Sequence, residues 1–294
     1  MGDQPQWVEV EGRRVRLTHL DRVLFPATGF TKAEMIHYYT QVAPAILGQL
    51  RDRPVTRIRF PEGVDGERFF EKNTPRGAPE WLRHHELRAS PGSQDEGTVV
   101  DLPVLDDLPS LVWAANAGAI ELHTPQWRVG PRGGVRAPDR LVVDLDPGEG
   151  AGLEECAEVA HLVAERLGDA GLDDVVPVTS GSKGLQLYAP LDGRRTAMQV
   201  REQAHELALG LAEDHPGLVV ASMKRALRPG KVLLDWSQNH PAKTTVTPYS
   251  LRGRERPQVA APRRWEELGP GLAQLDPSTV LERLEQDGDL LARD

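Results

Sequence analysis

A single cysteine, Cys156, excludes an internal disulfide and with it the stapled frameworks of small secreted domains. The thiol has no Cys or His at metal-ligand spacing and reads as a core residue. No apolar run approaches the roughly eighteen residues that a membrane span requires. The N-terminal residues lack the charged and apolar regions of a signal peptide. These absences lead us to expect a cytoplasmic protein with no membrane partner. Repeats, low-complexity tracts and heptad arrays are also missing. The chain is not basic either: a net charge of −9 excludes a protein that coats nucleic acid by bulk attraction. Aromatic residues make up only 5% of the chain, so an adjacent pair, Phe69-Phe70, stands out among just five Phe.

What is present is ordinary in amount and uneven in distribution. The 294 residues are 39% hydrophobic and 27% charged, enough for one large domain or two modest ones. Acidic residues dominate from Leu153 to Asp174 and again after Trp265. From Met223 to Arg264 ten Lys and Arg residues face only Asp235 and Glu255. A second basic cluster is Arg51, Arg53, Arg57 and Arg59. Either stretch is compatible with phosphate binding at a defined place or with a solvated surface.

Thr31 with Glu34 three residues on is a capping box. It opens a helix whose apolar stripe is Ile36, Tyr39, Ala43, Ile46 and Leu50. Short strands are expected over 53–60 and 68–71. The Gly- and Pro-rich stretch 130–138 is a loop and the candidate boundary between two parts. Leu141-Val142-Val143 begins a buried strand that ends in Asp144-Leu145-Asp146 and is stopped by Pro147-Gly148. A helix follows, marked by Leu153, Ala157, Ala160, Val163 and Leu167. Strands 175–179 and 185–189 are joined as a hairpin by Ser180-Gly181-Ser182-Lys183-Gly184. A helix over 196–213 and strands over 218–221 and 232–235 complete the order β-α-β-β-α-β. That order predicts an α+β fold: a ferredoxin-like (RRM-like) catalytic core of mixed sheet and helices, residues 136–294, behind an α/β N-terminal part, residues 1–135.

Side chains two apart on a strand share a face, so Asp144 and Asp146 project together. At about 4 Å two carboxylates repel by roughly 4 kcal/mol at an effective dielectric near 20. A hard divalent cation would offset this; alternatively, Asp-Pro-Gly merely ends a strand in a turn. Asp235 ends a second apolar strand. If the two strands are neighbours, three carboxylates converge, enough for two metals in phosphoryl transfer. The Ser180–Gly184 segment reads either as a phosphate-binding nest or as a plain hairpin turn. Gln186 shares a strand face with Tyr188 and is expected to point toward Asp144 and Asp146. Of Phe69 and Phe70, either both rings are core, or one is exposed near Arg57, Arg59, Arg68 and Lys72 as a platform for a base. His123, by composition, reads as a structural histidine.

Several segments in order resemble the polymerase domain of bacterial ligase D, within the archaeo-eukaryotic primase superfamily. They are Asp21-Arg22-Val23-Leu24-Phe25-Pro26, Phe69-Phe70-Glu71-Lys72-Asn73, Glu121-Leu122-His123-Thr124-Pro125-Gln126-Trp127 and Asp144-Leu145-Asp146-Pro147-Gly148-Glu149. After these come Ser180-Gly181-Ser182-Lys183-Gly184-Leu185, Asp235-Trp236-Ser237-Gln238-Asn239 and the stretch from Thr244 to Arg252. The resemblance covers nearly the whole chain. It implies two Mn²⁺ or Mg²⁺ ions held by Asp144, Asp146 and Asp235. It also implies contacts to the incoming nucleotide from His123, Ser180, Lys183, Gln186, Arg228 and Arg252. Arg22 and Lys32 would read a 5′-phosphate, with Phe69 and Phe70 near the template. The implied partners are nucleoside triphosphates, DNA with a gap or 3′ overhang, a DNA ligase and a Ku-like end-binding protein. The implied activity is extension of a primer 3′-OH in end-joining repair, with ribonucleotides preferred through a 2′-OH contact. A free-standing or excised bacterial domain is expected.

The chain departs from the family pattern where His is usual and Gln186 stands, and where Lys is usual and Ile58 stands. Gln cannot carry charge, so a DNA-end or gap-binding module with weakened catalysis is the alternative. A metal-dependent glycosyltransferase would also use Asp-x-Asp, but it leaves Asp235 without a role.

Overall fold

The computed structural model describes residues 5–292. Its α-helices are α1 (Lys32–Leu50), α2 (Leu108–Asn116), α3 (Leu153–Asp169), α4 (Ala197–Asp214) and α5 (Pro277–Asp287). Helix α1 starts where its capping box places it: Thr31 Oγ1 accepts the Glu34 N–H, and Glu34 Oε2 accepts the Thr31 N–H at 2.7 Å. The stripe Ile36, Tyr39, Ala43, Ile46 and Leu50 is buried as the periodicity requires.

A six-stranded sheet carries the centre of the molecule. Its order is Val219–Val220, Val232–Asp235, Arg140–Pro147, Leu185–Pro190, Val176–Thr179 and Ala261–Pro262. Every pair is antiparallel except the first, which is parallel. With α3 and α4 as its crossovers, this is the ferredoxin-like strand order, widened by a strand at each edge. The fold is α+β, as the element order predicts.

The faces of the sheet follow from strand alternation. Leu141, Val143 and Leu145 point with Leu185, Leu187, Val232 and Leu234 into a core closed by α3 and α4. Leu145 is fully buried, worth about 2 kcal/mol by area, and its anchoring turns Asp144 and Asp146 to the opposite face. On that opposite face Val142, Val178 and Tyr188 join the larger core, built around α1 and α2.

A second sheet, antiparallel throughout, orders Thr245–Val246, Ala119–Thr124, Thr56–Arg59 and Phe69–Glu71. The N-terminal part is therefore α+β in character, not the α/β unit expected, because antiparallel neighbours need no helical crossover. This sheet borrows a strand from beyond residue 135, and the larger core also draws on both sides of the 130–138 loop.

The second basic cluster has a structural explanation for two of its members. Arg57 is fully buried, donates to the Asn73 carbonyl at 2.6 Å and lies over the Trp113 ring. Arg59 pairs with Glu71 at 2.5 Å and donates to the Ala117 carbonyl. Neither guanidinium is presented to a phosphate.

Candidate active site

Asp144 and Asp235 face each other directly across the sheet, and Gln186 is the cross-strand partner of Asp144 on the other side. With Asp146 on the same face, oxygens of the three carboxylates all lie within 4.8 Å of one another. Asp235 is held by the Ser237 N–H at 3.0 Å, by the Ser237 hydroxyl and by the Gln238 amide at 2.9 Å. Asp144 accepts from Gln186 Nε2 at 3.0 Å, and Tyr188 donates to Gln186 Oε1 at 3.1 Å. Gln186 thus points into the site, as strand parity required.

Burial, and then the charge of Asp146, push the Asp144 carboxyl far above its ordinary range, against the lowering effect of the Gln186 bond. Asp146 is also raised, by burial and by Asp235, while Lys183, Arg228 and Arg252 favour its charged form. An all-oxygen donor set with this much uncompensated charge fits a hard divalent cation.

Asp144 and Asp146 open onto a cleft of about 200 Å³ between the two sheets, which His123, Lys183, Arg252 and Arg254 also line. Glu121 organises this cationic side and was not singled out from sequence. Its carboxylate lies 2.8 Å from His123 Nε2 and 3.2 Å from Arg252 Nε, and accepts the Gly253 N–H at 2.9 Å. Burial alone would raise the Glu121 carboxyl; the His123 bond, the Arg252 charge and the Gly253 N–H overcome it and hold the group at about 2. Burial pulls His123 down against the pull of Glu121. The two shifts do not describe an ion pair, and we read a neutral imidazole donating Nε2–H to a carboxylate. His123 is therefore tied down, yet it also lines the cleft. The only signal for Glu121 in the sequence was its spacing of two from His123 on a strand.

The Ser180–Gly184 turn is poorer in donors than a phosphate nest. The Ser180 N–H bonds the Gly184 carbonyl, Gly181 N–H bonds Gln274, and the Ser182 and Gly184 N–H groups both bond Ser180 Oγ. These backbone donors are spent on closing the turn, leaving the Lys183 ammonium and the hydroxyls to face the cleft. Close approach explains two glycines. A Cβ on Gly184 would lie 2.3 Å from the Leu145 carbonyl oxygen, and one on Gly148 would lie 1.9 Å from that of Arg228. Gly148 thus does more than stop a strand: it lets the Arg228 segment close over the end of the Asp144–Asp146 strand. Arg228 Nη2 is held by the Met223 carbonyl at 2.7 Å, and Arg252 Nη1 by the Ser180 carbonyl at 2.7 Å.

The remaining residues lie away from the carboxylates. Phe69 and Phe70 are 38% and 57% exposed, so neither ring enters the core. The reason is their place on a three-residue edge strand that no further strand among the described residues flanks. Lys72 sits 5.9 Å from the Phe70 ring. Arg22 bonds the Pro61 carbonyl and Glu62, each at 2.6 Å. Lys32, at the first turn of α1, is buried with its ammonium 2.6 Å from the Thr18 carbonyl. Ile58 is buried directly across from Glu121, so a lysine at this position would stand beside that carboxylate.

A family model described as LigD, primase-polymerase domain, matches residues 31–291. The multifunctional non-homologous end joining protein LigD of Mycobacterium bovis is 47% identical over 287 residues, 96% of this chain and 37% of that protein. The bifunctional non-homologous end joining protein LigD of Bacillus subtilis is 32% identical over 280 residues, 94% of this chain and 43% of that protein. The chain thus spans well under half the length of these curated relatives. Among solved structures, the polymerase domain from Mycobacterium tuberculosis ligase D in complex with DNA superposes with a TM-score of 0.89. It is 46% identical, and the match covers 95% of this chain and 96% of that one.

Proposed function

Given that this chain belongs to the LigD primase-polymerase family, a family of nucleotidyltransferases, we propose that it extends a DNA primer 3′-OH at gaps or broken ends, preferring ribonucleoside triphosphates. The observation that carries this reading is the convergence of three carboxylates, two of which, Asp144 and Asp146, share one cleft with Lys183, Arg252 and Arg254. Asp144, Asp146 and Asp235 would hold Mn²⁺ or Mg²⁺, two per site, which when bound would neutralise charge on the transferring phosphoryl group. Lys183, Arg252 and Arg228 would bind triphosphate oxygens, with Ser180, His123 and Gln186 fixing the nucleotide. Fixed cations aimed at developing charge in a sheltered cleft are the main catalytic contribution of the chain's own residues.

On this reading residues 136–294 supply the metal site and, together with His123, the nucleotide site, and residues 1–135 the DNA contacts. Arg22 and Lys32 would meet a downstream 5′-phosphate, and the exposed Phe69 and Phe70 would stack near the template. A Ku-like protein and a DNA ligase are the partners that non-homologous end joining would demand. Primer extension on gapped DNA tests the proposal. Templated addition with Mn²⁺ is expected, ribonucleotides outcompeting deoxyribonucleotides. Binding of the gap without any extension would point instead to an end-recognition module.

A further inference from the structure

A run of hydrogen bonds leads through the interior from the guanidinium of Arg140 to the carboxylate of Asp144. Both side chains occupy one face of one strand, four residues apart, so roughly 13 Å of strand separates them. Arg140 Nε donates to Gln126 Oε1 at 2.7 Å, and Gln126 Nε2 donates to Thr245 Oγ1 at 2.9 Å. The Thr245 side chain bonds the Tyr188 hydroxyl. Tyr188 donates to Gln186 Oε1 at 3.1 Å, and Gln186 Nε2 donates to Asp144 Oδ1 at 3.0 Å. Arg140, Gln126, Thr245, Tyr188 and Gln186 are all buried. Gln126 and Thr245 lie in two of the segments that carry the family resemblance, yet neither has a part in the function proposed above.

The direction of this chain of bonds is set at both ends. A guanidinium only donates and a carboxylate only accepts. Each residue between them must accept on one side and donate on the other, or two like groups meet in a dry interior. The two amides are the critical links, because their oxygen and nitrogen ends have the same shape and differ only in the partners they suit. The Tyr188 hydroxyl also lies 3.0 Å from the Val246 carbonyl. Donation there alone would leave Gln186 Oε1 facing an oxygen with no hydrogen between them. An inverted Gln186 would aim Oε1 at Asp144, and repulsion between the two oxygens would displace the carboxylate.

We propose that Tyr188 is a positioning residue of the metal site: its hydroxyl holds the Gln186 amide so that Nε2 faces Asp144. Thr245, Gln126 and Arg140 hold that hydroxyl in turn, so the orientation of one metal-site carboxylate is tied to a strand end and a loop on the far side of the cleft. A carboxylate already held in place loses less freedom when a cation binds, and outer partners of this kind govern metal affinity. The inference rests on the reading of Asp144, Asp146 and Asp235 as a metal site, and the test separates the two.

The test is Mn²⁺ titration of the chain without DNA or nucleotide, with free Mn²⁺ read by electron paramagnetic resonance. Tyr188→Phe keeps the ring that lies 5.3 Å from the Arg140 guanidinium and removes only the hydroxyl. It is expected to weaken Mn²⁺ binding about tenfold. In a Gln186→Leu background the same substitution should change the affinity by less than about twofold, because Tyr188 acts through Gln186. A tyrosine with a purely structural role would cost the same in both backgrounds, and that result overturns the proposal. Full Mn²⁺ affinity in Tyr188→Phe alone overturns it too. Thermal melts of the metal-free proteins show that the variants are folded. Should Tyr188→Phe not fold, Thr245→Val takes its place in the same cycle, with a smaller loss expected that is absent in the Gln186→Leu background. A wild-type chain that binds no Mn²⁺ removes the metal reading itself, and this inference with it.

Discussion

At the scale of single residues, the site is built from groups held against their solution preferences. Asp144 is the clearest case. Its carboxyl is raised from the ordinary 3.8, so its favourable effect on folding is present below that pH and is lost as pH rises through the raised value. At neutral pH, below the raised value of about 8, the metal-free protein must hold this carboxyl protonated where the unfolded chain would ionise it, and that uptake costs stability. Asp144→Asn should raise the melting temperature of the metal-free protein by a few degrees and lower primer extension at least a hundredfold. Mn²⁺ should stabilise the wild type and not the variant. A metal-free melting temperature that falls on substitution would show that the carboxylate is structurally paired. Glu121 has the opposite sign. Its folded value of about 2 lies below the ordinary 4.5, so its contribution is present above 4.5 and lost as pH falls through about 2. The shift corresponds to roughly 3 kcal/mol. Glu121→Gln should cost stability of that order at pH 7 and flatten the stability profile between about pH 5 and 2. It should also weaken nucleotide binding, because Arg252 and His123 lose the carboxylate that positions them. Acid unfolding curves of the two proteins that run parallel would remove Glu121 from this role.

At the scale of elements, the site depends on how closely two backbones approach. The Asp144–Asp146 strand runs into the Arg228 segment, and the Gly148 N–H bonds the Lys231 carbonyl at 2.8 Å. A side chain at Gly148 cannot fit 1.9 Å from a backbone oxygen, so one segment must move. Gly148→Ala is expected to cost roughly 2 kcal/mol or more. Extension should fall further than stability explains, since Arg228 would be displaced from Asp146. Activity equal to wild type at a temperature where both are folded would show that the Arg228 segment can shift harmlessly. The capping box of α1 and the period-two pattern of 140–147 made these elements legible in advance. The spent backbone donors of the 180–184 turn were not. A glycine-rich turn has the same sequence whether its N–H groups close on Ser180 Oγ or wait for a phosphate.

At the scale of the whole molecule, the proposed function asks a chain of net charge −9 to bind an anionic duplex. Long-range attraction is absent, so affinity has to come from local cations. Arg22 is the accessible test. It is bonded to Glu62, whose side chain is 71% exposed. Arg22→Ala should abolish discrimination between phosphorylated and unphosphorylated gaps and reduce the salt slope by about one. Glu62→Gln should do the reverse, by releasing the guanidinium. Gap-binding titrations across salt concentrations decide between them; discrimination that survives Arg22→Ala places the phosphate pocket elsewhere. Lys32→Ala is a poorer probe, because its buried ammonium bonds the Thr18 carbonyl and its loss would disturb the start of α1.

Local spacing alone determined the helices α1, α3 and α4, five of the six strands of the central sheet (all but the edge strand Ala261–Pro262) and the common face of Asp144 and Asp146. Each of these depends on backbone geometry within a few residues, where a period of 3.6 or 2 is written directly into the chain. Tertiary structure alone decided which strands became neighbours. It set Asp235 opposite Asp144 from 91 positions away, brought Glu121 to Arg252, buried Arg57 beside Glu71 and left both Phe69 and Phe70 in solvent. Such outcomes follow from burial and pairing between distant segments. A residue's own neighbours in the chain show which face it occupies, but not what that face will meet.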